Sequence, residues 1–188
     1  MNENNFVSID QLIFNRRTIH EFKSDVIPPR EKIIRAIDLA QWAPNHRLTQ
    51  PWHFYILGPE TTRMAIELNA QITKEKNGDR AAKIKQERWS RIPGWLVMTC
   101  QTSENTVRKQ EDYAACCCAA QNIMLYLWQE GIGVKWTTGD LTRDQRFYEL
   151  IRLDPAKEMI VGLFWYGYAA EIPETKRKPV GHILTELS

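Results

Sequence analysis

Along the first fifty residues, apolar positions recur at helical spacing and are then interrupted by proline. Ser8 followed by Gln11 has the form of a capping box that opens a short helix running to about Arg16. Pro28 and Pro29 introduce a second helix whose Ile33, Ile37 and Ala40 share a face, and Pro44 stops it. A loop spans 44–51, and Trp52–Leu57 then reads as a strand. Residues 60–73 read as a helix with Met64, Leu68 and Ile72 along one side. Trp95–Cys100 has the continuous apolar character of a buried strand.

The strongest helical pattern is EDYAACCCAAQNIMLYLWQEG, residues 111–131. Tyr113, Cys117, Ala120, Met124 and Leu127 form one stripe, while Cys118, Leu125 and Trp128 make the opposite side apolar. A helix apolar nearly all round is expected to be packed on two sides. Gly131 stands where a helix C-cap belongs. Val134–Thr138 follows as a strand, Thr142–Leu153 as a helix and Met159–Tyr168 as a long apolar strand. Residues 74–92 read as either a charged helix or a mobile excursion. With no repeat and no linker, the pattern predicts one α+β domain over 1–188, with helices covering a mostly antiparallel sheet.

Composition narrows the function classes. A chain of 188 residues with 43% hydrophobic and 26% charged residues suits one domain with a real core. The net charge of +2 argues for neither nucleic acid nor membrane as a partner. The basic stretch 74–92, seven Lys/Arg against three Asp/Glu, is the one feature a nucleic-acid module would rest on. MNENNFVSID lacks a basic region followed by an apolar run, so no signal peptide is expected and the compartment is cytoplasmic. Cys116, Cys117 and Cys118 are consecutive, so on a helix they point about 100° apart and cannot close a disulfide or share a metal. They read as small buried thiols.

Motif searching excludes several chemistries. Gly131-Ile-Gly133 opens like a dinucleotide fingerprint, but Trp136 occupies the third glycine position and the helix precedes the strand. No Walker loop, His-Glu-x-x-His or Gly-x-Ser-x-Gly is present. His46 and His53 straddle a proline-containing loop with no metal spacing, so no metal site is expected. Arg16-Arg17-Thr18 has the donors for a phosphate, because guanidinium forks match phosphate oxygens. A solvated charge at a helix C-terminus is the alternative reading.

Taken together, RRTIHEF, AQWAPNHRLTQPWHF, GIGVKWTTGDL and the late KRKP resemble, in order and spacing, the FMN-dependent nitroreductase family over about residues 10–180. The PNH…QPWHF form is similar to a small, minimal subgroup. The resemblance implies an intertwined α+β homodimer with two FMN sites at the interface. It implies that Arg16, Arg17 and Thr18 hold the FMN phosphate and ribityl region, with Arg177 a further phosphate contact. His20 falls where the family often places Lys or Arg near the flavin pyrimidine edge. The loop Pro44–Gln50, including Pro44, Asn45, His46 and Gln50, would reach the flavin bound mainly by the other subunit. Trp136, Thr137 and Thr138 would line the flavin beside its redox centre. For His46, Trp52 and His53 a packed loop anchor is the alternative reading, and for Trp136 a core strand position.

The chemistry implied is two-electron transfer from NADH or NADPH through FMN to a nitro compound, quinone or similar small acceptor, in ping-pong order. No side chain acts as nucleophile, since the cofactor carries the reaction and the protein supplies orientation and electrostatics. A dedicated metabolite as the true acceptor, and a flavin-binding protein for storage or sensing, are the alternatives. His20 in place of a permanent cation, and PNHR in place of a small polar loop, set this chain apart from the family's commonest pattern.

Overall fold

The computed structural model describes residues 8–187. Ser8 caps α1 (Ile9–Asn15), its side chain accepting from the Gln11 amide at 3.4 Å. Then come α2 (Arg30–Ala40), β1 (Trp52–Ile56), α3 (Pro59–Asn77), α4 (Asp79–Trp89), β2 (Gly94–Gln101), α5 (Thr106–Gln129), β3 (Ile132–Thr137), α6 (Gln145–Leu150) and β4 (Glu158–Tyr168). The four strands form one sheet in the order β1-β2-β4-β3, antiparallel at every pairing. The fold is α+β with an antiparallel sheet covered by helices, as the sequence led us to expect.

Helices cover both faces of the sheet, which is why β2 and β4 read as unbroken apolar runs rather than alternating ones. One face packs Leu96, Met98, Phe164 and Tyr166 against Ile33 and Ala36 of α2 and Cys116, Ala120 and Ile123 of α5. The other packs Val97, Leu163 and Trp165 against Ala65 and Ile72 of α3 and Trp89 of α4. Between Met98 and Thr99 the β2 register jumps from Gly162 to Ile160, leaving Val161 as an extra residue in β4. This bulge shifts the alternation by one, so Val161 joins the α5 face and Ile160 the α3 face.

Several helix faces and limits differ from the sequence reading. α5 starts at Thr106, because Asn105 caps it by accepting from the Arg108 amide at 3.0 Å. Its buried stripe is Asp112, Cys116, Ala119, Ile123 and Leu127, one position off the expected stripe in the first half, with Tyr113 exposed. The cysteine trio is therefore not uniformly buried: Cys116 is buried, Cys117 half-buried and Cys118 exposed. In α3 the buried face carries Ala65, Asn69 and Ile72, and Met64 turns outward. Residues 142–153 are not one helix. The Asp144 carboxylate accepts from the Arg146 amide at 2.9 Å and opens α6 there, after a 3-10 turn at Asp140–Arg143. The stretch 74–92 is helical: Gly78, at φ +83°, turns α3 into α4, whose Trp89 is buried between Trp95 and Trp165 at ring-centroid distances of 5.3 and 4.9 Å. Gly131, at φ +73°, ends α5 as expected.

Among the described residues no helix is long and apolar enough to cross a membrane.

Candidate functional site

The segment after α1 runs extended along the free edge of β3. Thr18 makes a parallel bridge with Val134, and the Ile19 amide donates to the Val134 carbonyl at 3.2 Å. Ile19 is fully buried, and a Cβ on Gly133 would lie 2.3 Å from its side chain. Glycine at 133 is thus what lets the segment approach. Burying Ile19 contributes about 1.5–3 kcal/mol to holding it there. The result is a fixed backbone from which Arg16, Arg17, Thr18 and His20 project.

Arg16 is half-buried, and burial pushes its guanidinium below the ordinary value, with Arg177 and then Arg17 adding to the effect. Arg177, from the tail, is therefore near enough to repel it. Among the described residues no carboxylate pairs with Arg16, Arg17 or Arg177. Arg17 is committed differently, its Nη1 donating to the Phe14 carbonyl at 2.6 Å and to its own neighbour's, Arg16, at 3.0 Å. It closes the C-terminus of α1, the local reading of this arginine pair. Arg177 donates one Nη1 hydrogen to the Thr175 hydroxyl at 2.9 Å, so Arg16, the rest of the Arg177 fork and the exposed Thr18 are the donors that suit a phosphate or similar anion.

His20 lines a cavity of about 260 Å³ with Arg88, Arg91, Ile92 and Trp165. Its imidazole is held below the ordinary 6.5 by burial first, then by Lys135 and Arg88, with Glu21 opposing. It is expected to be neutral at neutral pH, and an NMR titration of its ring nitrogens should give a midpoint under 6.5. The sign for stability follows. The fold disfavours the imidazolium, so any contribution is intact above 6.5 and is lost as pH falls from there through the lower folded-state value.

Thr137 lines a cavity of about 200 Å³ with Lys85, Arg88, Lys135, Asn69 and Trp165. Thr138, just past the end of β3, lines a separate cavity with Tyr113, Tyr148, Ile160 and Val161. Trp136 is half-buried on the α5 face. Its ring stacks on Phe164 at 5.3 Å, and its indole N–H donates to the Val161 carbonyl at 3.2 Å. It occupies a core strand position with its one hydrogen-bonding group already used.

The 44–51 loop is a separate construction. The Asn45 side chain donates to the Thr49 hydroxyl at 2.9 Å and accepts from the Gln50 amide at 2.6 Å. The Thr49 hydroxyl donates to the buried Asp112 carboxylate, which Arg108 also meets at 3.3 Å. Arg47, Leu48 and Gln50 all take left-handed φ values of 57°, 50° and 45°. Such residues persist only where surroundings dictate them, and they gather at functional sites. His46, Arg47 and Thr49 face a cavity of about 390 Å³ with Ser103, Arg108 and Asp112. Pro44 is exposed at the loop's start. None of Arg16, Thr18, His20 or Thr137 lines that cavity.

Lys135, Asn69 and Asp112, which line these cavities, were not singled out by the sequence. A lysine inside the apolar run of β3 and an aspartate on the stripe that leads to Cys116 were the available signals. Asn69 gave none, since the face of α3 is fixed only by its packing.

The helix-covered antiparallel sheet is that of nitroreductase-like folds. The nitroreductase family model matches residues 13–168. "Putative NAD(P)H nitroreductase YfhC" of Bacillus subtilis is 31% identical over 181 residues, covering 94% of this chain and 92% of that protein. The solved structure of a nitroreductase-like family protein from Bacillus cereus is 29% identical, with TM-score 0.87 and 99% of each chain covered. The FMN and NADPH-dependent nitroreductase NfnB, from Sphigopyxis sp. strain HMH, shares the fold at TM-score 0.78 and 16% identity, covering 96% of this chain and 99% of that one. The chain belongs to the nitroreductase family.

Proposed function

We propose that this chain is a single-domain, cytoplasmic, FMN-dependent NAD(P)H oxidoreductase that reduces nitro compounds, quinones or a similar small acceptor in ping-pong order, as a homodimer with two FMN sites. The observation that carries the reading is that Arg16 feels the charge of Arg177, from the far end of the chain, while neither has a carboxylate partner among the described residues. A phosphate is the ligand that such a pair stabilises. A nitroreductase of the same fold solved in complex with FMN, and NfnB, which is FMN and NADPH-dependent, support the choice of phosphate ester.

FMN, when bound, supplies the two-electron hydride chemistry. Arg16, Arg177 and Thr18 hold its phosphate, and Arg17 keeps α1 closed behind them. Thr137 and Thr138, at the end of β3, border two neighbouring cavities and limit how a planar ligand lies there. His20 offers a neutral imidazole, a donor or acceptor according to its tautomer. The strained loop from Pro44 through Asn45 and His46 to Gln50 borders a different cavity from these residues in its own chain, which supports its serving the site of a second copy. The exposed apolar side chains Ile13 and Phe14 of α1 and Trp42 and Leu48 beside the loop are the surface available for that copy.

The test is acid extraction of the cofactor from purified protein, with anaerobic reduction of the bound flavin by NADH and by NADPH. One FMN per chain, bleached by a nicotinamide and recoloured by a nitroarene or quinone, is the expected result. Recovery of FAD, or no flavin after reconstitution, removes the reading. FMN that no nicotinamide reduces points instead to storage or sensing.

A further inference from the structure

The cavity between β3, α3 and α4 has a lining that the fold itself does not explain. Lys85, Arg88 and Lys135 all border its roughly 200 Å³. Asp140, also on its wall, is paired with Lys76 at 2.9 Å, and Arg88 with Glu21 at 3.0 Å. Lys135 has no carboxylate partner among the described residues. Its Nζ stands 4.9 Å from the centroid of the Trp165 ring. Two donors on the same wall are buried with no hydrogen-bond partner: the Asn69 amide nitrogen and the Trp165 indole nitrogen. Asn69 is 1% exposed and Trp165 4%.

Buried donors without acceptors are costly and scarce in folded proteins. Here two occur together, beside an unpaired ammonium, in a space large enough for a ligand group. Every feature that lacks a partner is a donor or a cation. We propose that this cavity receives a negatively charged, acceptor-rich group, held by the Lys135 ammonium with the N–H groups of Asn69 and Trp165. Burial lowers the Lys135 pKa and Arg88 lowers it further, with Glu21 opposing in part, so an arriving anion relieves a strain already present.

The inference rests on the oxidoreductase reading above, because Thr137, on the same wall, is one of its flavin-lining residues. Two ligands carry the required chemistry. One is the flavin pyrimidine edge, which gains negative charge on two-electron reduction. The other is an anionic substituent on the acceptor.

Lys135→Met keeps an unbranched side chain of similar length and removes the charge that lies over Trp165, and Lys135→Arg keeps the charge. In the FMN-loaded protein, two quantities are read: the midpoint potential of the bound flavin, and the ratio of kcat/KM for 4-nitrobenzoate over nitrobenzene. If the flavin edge is the ligand, Lys135→Met weakens hydroquinone binding relative to oxidised FMN about tenfold, a drop of about 30 mV for a two-electron couple. If the acceptor's anion is the ligand, the potential holds and the kcat/KM ratio falls about tenfold. Lys135→Arg restores whichever quantity moved. Asn69→Leu, which removes an unpartnered donor, should raise the melting temperature while lowering the same quantity. Failure of the parent chain to bind FMN overturns the underlying reading. FMN bound normally, with both potential and ratio unchanged in Lys135→Met, overturns this inference alone.

Discussion

Arg16→Ala combined with Arg177→Ala is expected to abolish FMN retention through purification while leaving the protein folded. Each guanidinium–phosphate contact contributes about 1.5–3 kcal/mol as a charge-assisted hydrogen bond. Losing both weakens FMN binding by about 3–6 kcal/mol, roughly two to four orders of magnitude in Kd. The effect on the empty protein has the opposite sign. Arg16 is held below its ordinary pKa by burial and by Arg177 and Arg17, so removing the pair relieves desolvation and repulsion. The double variant should therefore melt no lower than the parent when both are free of flavin. Riboflavin supplies the control, since it lacks the phosphate: its affinity, by fluorescence quenching, should be equal in the two proteins. Equal FMN affinity in parent and variant would show that the phosphate lies elsewhere. A parallel loss of riboflavin and FMN would indicate damage to the edge segment rather than a lost phosphate contact.

The order of elements was legible because each carried its own local signal: Ser8 and Gly131 at helix ends, Pro44 at a helix stop, unbroken apolar runs in β2 and β4. Which face of a helix turns inward was less so. In α5 two adjacent stripes are both apolar, and the choice between them is made by contacts with Met98 and Phe164, far away in sequence. In α3 the same ambiguity hid Asn69. The Arg16-Arg17-Thr18 cluster was visible as a phosphate candidate, yet its sequence could not say which arginine is free. The structure ties Arg17 to the end of α1 and leaves Arg16 within the influence of the Arg177 charge. The cationic wall formed by Lys135 and Arg88 depends on β3 lying opposite α4, a relation that no local pattern encodes. The bulge at Val161 is likewise a property of strand pairing, and its consequence for Trp136 appears only in three dimensions.

That consequence gives the largest stability change we expect from one substitution. Gly162 forms a slot in β4 filled by the Trp136 indole: a Cβ there would sit 2.0 Å from Trp136 Nε1 and 2.4 Å from Cδ1. Gly162→Ala must therefore expel the ring. Expulsion breaks the indole bond to the Val161 carbonyl and the stack on Phe164, and leaves the bulge carbonyl without its donor. Overpacking costs about 1–3 kcal/mol, and an orphaned buried polar group about 1–3 kcal/mol. The expected loss is about 3 kcal/mol, or a melting temperature lower by roughly 6–12 °C for a chain of this size. The mechanism is separable from any intrinsic effect of alanine in a strand. In a Trp136→Leu background the slot is already empty of indole, so Gly162→Ala should cost less than about 1 kcal/mol, and the double-mutant cycle should show a coupling of about 2 kcal/mol. Urea unfolding of the four flavin-free proteins measures every corner of the cycle. Additive costs would mean that Trp136 moves without penalty and that the glycine serves some purpose other than holding the ring.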